Sequence, residues 1–275
     1  MKKFSIFVFV ISISSFTCNA FAGVEDEIKL KKTGSCSKCS LENANLSLMD
    51  LTKANLSESN LSGANLSGST LSFANLTNSN LTGANLTQTK LDGSFLSGAN
   101  LSESNLTGAN LSSSKLNNAD LTNADLKQAK LMNARFIEVN LTGANLTGAD
   151  LRTARMPYSN LHKANLIYAN LSSVNLTEAN LNKANLTGAN LNRADLYKSD
   201  LSETNLSSTD LSLSRLTLAN LSGAKLQNTN LTDAELFKTN LKNTDLENTS
   251  LRNIKLENTI MCNTKTPWGI ENSGC

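Results

Sequence analysis

The sequence predicts an all-β repeat fold shaped as a rod, and three observations carry that prediction. An apolar residue stands at every fifth position from Leu41 to Met261 without an insertion, and it is Leu everywhere except at Phe136, Met156 and Met261. A small residue stands two positions before it, and the residue between the two is mostly Asn or Asp. Only 5% of the 275 residues are aromatic. Since α-helices and strands have periods of about 3.6 and 2, a period of five indicates neither.

Glycine marks one position of the repeat. Ten of the fourteen glycines lie inside the repeats, and all ten stand two residues after the apolar residue. Glycine adopts the positive φ angles of tight turns at little steric cost. The pattern therefore predicts one turn in every repeat.

The repeat resembles the A-(D/N)-L-x-x signature of the pentapeptide-repeat family, for example A-N-L-S-G at residues 64–68, over about four fifths of the chain. The resemblance implies a right-handed, four-sided parallel β-helix. In that fold the Leu and the small residue point inward and the other three residues point outward. One pentapeptide per side gives coils of 20 residues, so about eleven coils would form a rod on the order of 50 Å long.

Residues 1–22 are predicted to be a secretory signal peptide. Lys2 and Lys3 precede an apolar run from Phe4 to Phe16, and Ala20-Phe21-Ala22 predicts cleavage after Ala22. A membrane anchor is disfavoured because the run is shorter than the roughly 20 residues that a bilayer requires. Lipid attachment at Cys18 is a third interpretation, although the two residues before it suit it poorly. The prediction is a secreted or periplasmic protein without a transmembrane segment after cleavage.

The mature chain is predicted to have three parts: a cap at 23–40, the β-helix at 41–261 and a second cap at 262–275. Open ends of a β-helix require such caps. Glu25 to Glu27 precede the lysines between Lys29 and Lys32, with Gly34 after them, which is the charge order of a short helix over 24–33. The tail holds the single Trp, Trp268, and resembles the endings of secreted pentapeptide-repeat proteins.

Four cysteines remain after the predicted cleavage, which suits an oxidising compartment. The rod would hold the two pairs tens of ångströms apart, whereas a disulfide requires Cα atoms within roughly 7 Å. Only the pairs Cys36–Cys39 and Cys262–Cys275 then remain, and a four-cysteine zinc site is excluded. A redox-active C-x-x-C is the alternative for Cys36 and Cys39. It is disfavoured because a reactive thiolate favours a helix N-terminus and the predicted helix lies before the motif.

No catalytic, cofactor or metal site is predicted. The single histidine, His162, occupies an outward position, and the carboxylates are scattered over outward positions without a cleft. General acid–base catalysis requires groups held together in a fixed geometry. The sequence therefore favours a protein that is not an enzyme.

One outward surface differs from the others when residues n and n + 20 are stacked. Lys115, Arg135 and Arg155 follow one another in a single column, and a neighbouring column carries apolar and aromatic residues. Such a mixture is typical of interfaces. Neutral variation of a solvated surface is the alternative. The candidate binding face consists of Lys115, Arg135, Ile137, Arg155, Pro157, Tyr158, Tyr197, Arg215 and Phe237.

The predicted function is an exported scaffold or interaction rod that binds another protein or an envelope component. The resemblance implies a second function, inhibition or protection of DNA gyrase by mimicry of DNA. Export and the balance of 18 basic against 19 acidic residues in 41–260 argue against it. Nucleic-acid binding is not predicted, because no extended basic run with aromatic residues is present. Self-association is left open.

Overall fold

The computed structural model describes the backbone of residues 16–275 and the side chains from residue 23 onward. It contains helix α1, Phe16–Thr33, then the repeat coils, then two short strands, β1, Thr264–Thr266, and β2, Gly269–Glu271. The predicted signal peptide lies outside the described residues over 1–15. Its remaining part, 16–22, is described as backbone only.

The repeats wind into coils of 20 residues. Parallel bridges join residue n to residue n + 20, from Ser40 with Asn60 to Asp245 with Lys265, and each pentapeptide contributes one bridge at the residue before its Leu. Four columns of bridges therefore run along the molecule. Within a column, the Asn60 amide donates to the Cys39 carbonyl (2.9 Å) and the Leu41 amide donates to the Asn60 carbonyl (2.7 Å). This architecture is a parallel β-helix.

Each pentapeptide turns at the position that the glycines marked. The residue two after the Leu has a positive φ in nearly every repeat, 56° at Asn43 and 63° at Gly83, with Asn248 as an exception. The Ala44 amide donates to the Leu41 carbonyl (3.1 Å), which closes a type II turn. Most of these turn residues are not glycine, although a left-handed conformation costs other residues roughly 1–2 kcal/mol. The inter-coil hydrogen bonds and the buried Leu offset that cost.

The interior consists of stacked Leu and small residues. Leu side chains of the central coils have no exposed surface, and the larger Phe136 and Met156 are equally buried. Each buried Leu contributes roughly 1.5–3 kcal/mol before the ordering of the chain is counted. Buried hydroxyls bond to Leu carbonyls: Ser79 Oγ donates to Leu76 within its own turn (2.7 Å). Threonine at this position reaches the preceding coil in several turns.

Helix α1 covers the first coil. Leu30 is fully buried in the same apolar cluster as Cys36 and Leu41. The carboxylate of Asp26 accepts a hydrogen bond from the Ser40 amide (2.8 Å). The helix ends where predicted, with Gly34 at φ 66° and its amide bonded to the Leu30 carbonyl (2.8 Å). It begins earlier than the expected 24–33, because α1 continues back to Phe16 through the predicted cleavage site.

The tail covers part of the last coil. Strands β1 and β2 pair antiparallel, with Thr264 opposite Glu271, and the Met261 amide donates to the Ser273 carbonyl (2.7 Å). In the described chain no further strand pairs with Ser250 or Lys255, the last residues of two of the four columns. Leu251 and its neighbours are consequently only half-buried. The N-terminal end is thus more completely covered than the C-terminal end.

Within residues 16–275, no helix has the length and apolarity that a membrane crossing requires.

Candidate functional site

The three predicted cations lie on consecutive strands of one bridge column. Lys115 bridges to Arg135 and Arg135 bridges to Arg155. The Arg135 amide donates to the Ser114 carbonyl and the Arg155 amide donates to the Ala134 carbonyl, both at 2.9 Å. Neighbouring strands are about 4.8 Å apart, so all three side chains leave the rod close together. All three are exposed.

Apolar groups border these cations. Ile137 and Pro157 are half-buried in the adjacent outward column, and Tyr158 is 54% exposed at the following turn position. We call Lys115, Arg135, Ile137, Arg155, Pro157 and Tyr158 the arginine cluster. Phe136 and Met156 fill the interior directly beneath it. The structure therefore brings six of the nine predicted face residues together.

The other three predicted residues form a separate distal group, Tyr197, Arg215 and Phe237. Asn175 and Asp195 lie between Arg155 and Arg215 in the shared column. Here the cation has partners: Arg215 Nη1 lies 3.5 Å from Asp195 Oδ2, and its guanidinium lies 4.3 Å from the centre of the Tyr197 ring. The predicted residues therefore follow the same columns of the rod. Asn175 and Asp195 separate the cations of the arginine cluster from the paired cation Arg215.

The cations of the arginine cluster differ in the groups that they contact. Lys115 Nζ lies 4.7 Å from the centre of the Phe95 ring, a cation–π contact. Within residues 23–275, Arg135 and Arg155 have neither a carboxylate within 4.0 Å nor an aromatic ring beneath them. The nearby Arg152 is different, because its guanidinium donates to both carboxylate oxygens of Asp150 (2.9 and 2.7 Å).

That pair also shifts two protonation equilibria. The hydrogen bond from Arg152 holds the pKa of Asp150 below its ordinary value, and Asp150 in turn raises the pKa of Arg152. A hydrogen bond from the Thr52 hydroxyl lowers the pKa of Asp50 in the same way. The positive charge of Arg152 is therefore balanced by the negative charge of Asp150, and the pair adds little net charge to the arginine cluster.

Sequence reasoning missed several contributors to this face. Phe95, Lys198 and Lys238 all form cation–π contacts with predicted residues. Lys198 and Lys238 directly follow Tyr197 and Phe237, and Phe95 precedes Lys115 by 20 residues. The 20-residue spacing was a usable signal for Phe95. The lysines gave no comparable signal, because a contact between adjacent residues depends on side-chain conformation.

A crevice of about 350 Å³ opens at the C-terminal end of the same face. Glu235, Phe237, Lys255 and Glu257 line it, and Phe237 is 48% exposed. The crevice belongs to the last, partly covered coil. It is distinct from the arginine cluster.

The cysteines pair as predicted from the sequence, Cys36 with Cys39 (Cα atoms 5.6 Å apart) and Cys262 with Cys275 (5.0 Å). Cys36 and Cys39 occupy a repeat turn beneath α1 and are 1% and 3% exposed. Asp26 and Lys29 of α1 approach the sulfurs, with Lys29 Nζ 3.9 Å from Cys39 Sγ. These two charged neighbours were not predicted.

His162 lies at the outward position expected for it. His162 is half-buried. Its backbone amide donates to the Asn160 side chain (3.1 Å), as the corresponding amide does in most other turns. No other histidine exists in the sequence. Its surroundings are those of an ordinary repeat.

Stacked Leu columns, a type II turn in nearly every pentapeptide and four bridge columns define the class of protein, a parallel β-helix. Family models for pentapeptide repeats match residues 35–68, 59–98, 69–108, 79–118 and 214–253, and a pentapeptide repeat region matches 109–186 and 129–206. The chain belongs to the pentapeptide-repeat family, as its signature indicated. These models describe repeats and no catalytic domain.

Solved structures of pentapeptide-repeat proteins resemble the chain. HetL, involved in heterocyst differentiation regulation in the cyanobacterium Nostoc sp. strain PCC 7120, is 28% identical over 89% of this chain and 97% of its own, with a TM-score of 0.37. A trypsin-treated form of QnrB1, a plasmid-mediated fluoroquinolone resistance protein, is 20% identical over 65% of this chain and 82% of its own, with a TM-score of 0.47. The comparison with curated proteins finds no match.

Proposed function

We propose that this protein is an exported, non-enzymatic interaction rod that binds a protein or an envelope component through the arginine cluster. The observation that carries the proposal is the pair Arg135 and Arg155, which lie on neighbouring strands without a counter-ion in the described chain. Like charges directly opposite each other destabilise a sheet. A bound anionic partner would relieve that repulsion.

The export part of the proposal rests on the sequence of residues 1–22 and on the cysteines. A charged start, an apolar run and Ala20-Phe21-Ala22 are typical of a cleaved signal peptide. Two disulfides suit an oxidising compartment. Cleavage after Ala22 would leave α1 starting at Gly23, still long enough to hold Leu30 over the first coil.

The handedness, number of sides and length of the rod are part of the same proposal. Four bridge columns and a 20-residue coil support a right-handed, four-sided rod of about eleven coils, on the order of 50 Å long at the usual strand spacing. Such a rod presents fixed columns of side chains with little conformational freedom. Preorganised surfaces of this kind lose little entropy on binding.

One observation favours a second function, thiol–disulfide chemistry at Cys36 and Cys39. Lys29 would stabilise a thiolate at Cys39, and Asp26 lies within reach of both sulfurs. Both sulfurs are nevertheless buried beneath α1, so a thiol of another molecule cannot reach the disulfide. The interaction rod is the better supported function.

In-cell photocrosslinking tests the proposal. A photoreactive phenylalanine replaces Tyr158 in the arginine cluster and, as the control, Tyr168, a more exposed tyrosine in a different turn column (72% against 54%). We expect one discrete adduct from position 158, in the extracytoplasmic fraction, on a protein whose N-terminal residue is Gly23. Equal labelling from both positions, or an uncleaved cytoplasmic protein, would contradict the proposal.

A further inference from the structure

Arg135 and Arg155 differ from Lys115 and Arg215, two other cations of their column. Arg215 is paired with Asp195 and stacked near Tyr197, and Lys115 lies over Phe95. Arg135 and Arg155 have no such partner among residues 23–275. Two guanidinium groups thus leave neighbouring strands, about 4.8 Å apart at their roots, with their hydrogen-bond donors directed to solvent.

The local sequence compensates for the hydrogen-bond acceptors that these two arginines remove. In most turns, the Asn or Asp before the Leu accepts a bond from the amide two residues later, as Asn175 does from Thr177 (2.9 Å). Arginine offers no acceptor. At Arg155 the affected residue is Pro157, which has no amide hydrogen to leave unpaired. At Arg135 the Ile137 amide donates instead to Asn117 of the preceding coil (3.3 Å).

We propose that the arginine cluster binds an acidic segment of a polypeptide, and this inference rests on the proposed function. Carboxylates of the segment pair with Arg135 and Arg155, because the planar guanidinium matches a carboxylate in two parallel hydrogen bonds. Pro157 and Tyr158 then contact the apolar side chains between those carboxylates. Tyrosine and arginine together are enriched in such contacts.

A long polyanion fits the surface less well. The cationic track comprises three strands, bounded in its column by Phe95 on one side and by Asn175 and Asp195 on the other. Glu138 lies in the same turn as Arg135 and forms no ion pair among residues 23–275, whereas Glu178, two coils later at the same turn position, is paired with Lys198 (3.6 Å). The Glu138 carboxylate would repel the continuing charges of a sulfated polysaccharide or nucleic acid. Two or three negative charges within a short span match the track.

The test measures the binding of synthetic peptides to the full mature protein by fluorescence anisotropy. The probe is a labelled decapeptide in which two glutamates flank a tyrosine, and its matched control carries glutamine in place of glutamate. We expect saturable binding of the acidic peptide only. The R135S/R155S variant should bind it about tenfold more weakly, as expected for the loss of two surface ion pairs.

A second variant controls for net charge. R193S/K225S removes two exposed cations from other columns, neither of them in an ion pair within the described chain, and should retain binding within about twofold. Equal losses in both variants, or no binding of the acidic peptide, would overturn the inference. Stronger binding of a heparin hexasaccharide, lost in R135S/R155S, would overturn it in favour of a polyanion. Crosslinking at position 158 tests the proposed function separately, because it does not depend on partner chemistry.

Discussion

The residue before each Leu links the coils to one another. Asn80 accepts bonds from the Thr82 amide (3.1 Å) and hydroxyl (2.7 Å), and its own amide group donates to Asn60 of the preceding coil (3.1 Å). Stacked asparagines form a hydrogen-bonded ladder over part of the rod, for example from Asn85 to Asn65 (3.2 Å). One side chain thereby satisfies its own turn and ties it to its neighbour.

Ser214 departs from the hydrogen bonding of the other buried hydroxyls. Its Oγ is the buried side-chain atom without a partner in the described chain, whereas Ser79 Oγ donates to the Leu76 carbonyl (2.7 Å). An unpaired buried hydroxyl costs about 1–3 kcal/mol. We expect Ser214→Ala to raise the free energy of unfolding by about 1 kcal/mol, since the cavity left by one oxygen is small.

Ser79→Ala is the matched control, since it removes a hydroxyl of equal size that has its partner. It should leave the stability unchanged or lower it slightly. Chemical denaturation followed by circular dichroism measures both. If Ser214→Ala had a lower free energy of unfolding than Ser79→Ala, the Ser214 hydroxyl would have a hydrogen-bond partner in the folded protein.

The turns at one corner of the rod alternate between large residues and glycine. The Tyr168 ring lies against Gly188 of the next coil, where an added Cβ would stand 2.5 Å from a ring carbon. Phe73 lies against Gly93 in the same way at a different corner of the rod. Here glycine serves two needs, a positive φ and space for a ring from the neighbouring coil.

Gly188→Ala is expected to destabilise the protein more than Gly83→Ala. Both positions have a similar positive φ, 67° and 63°, so both changes should cost roughly 1–2 kcal/mol from backbone strain. Only Gly188 faces an aromatic ring, whereas nothing lies within 4 Å of an added Cβ at Gly83. In the Tyr168→Ser background, Gly188→Ala should cost no more than Gly83→Ala does, and denaturation of the wild type, Gly188→Ala, Tyr168→Ser and the double variant measures this coupling. An unchanged difference after Tyr168→Ser would place its cause elsewhere.

The elements also show what the sequence could predict. The strict period of the Leu residues fixes the register, and the family resemblance implied a coil of 20 residues, so the strand neighbours of Arg135 could be found by counting. The disulfide pairs followed from the length of the rod. The start of α1 at Phe16 did not follow, because charge order marks only the last turns of the helix. The division of the face was missed as well. Ion pairs such as Arg215 with Asp195 depend on side-chain conformation, which the period does not specify.

At the scale of the whole molecule, each coil is stabilised by its neighbours, so the ends decide whether the rod remains a single molecule. Helix α1 closes the first coil through one buried side chain, Leu30, and one hydrogen bond from the Ser40 amide to Asp26. An uncovered first coil would expose a strand edge that pairs with other chains. The cap therefore protects solubility as well as stability.

Leu30→Asp should detach α1, because a carboxylate cannot remain buried in an apolar cluster without a partner. We expect faster hydrogen exchange of the Ser40 amide and concentration-dependent association, followed by hydrogen-exchange mass spectrometry and light scattering. Ile28→Asp is the matched control, since Ile28 is 59% exposed on the same helix and its replacement should change neither measurement. If Leu30→Asp remained monomeric with slow exchange at Ser40, the first coil would be closed by Cys36 and Cys39 alone, and α1 would be dispensable for the integrity of the rod.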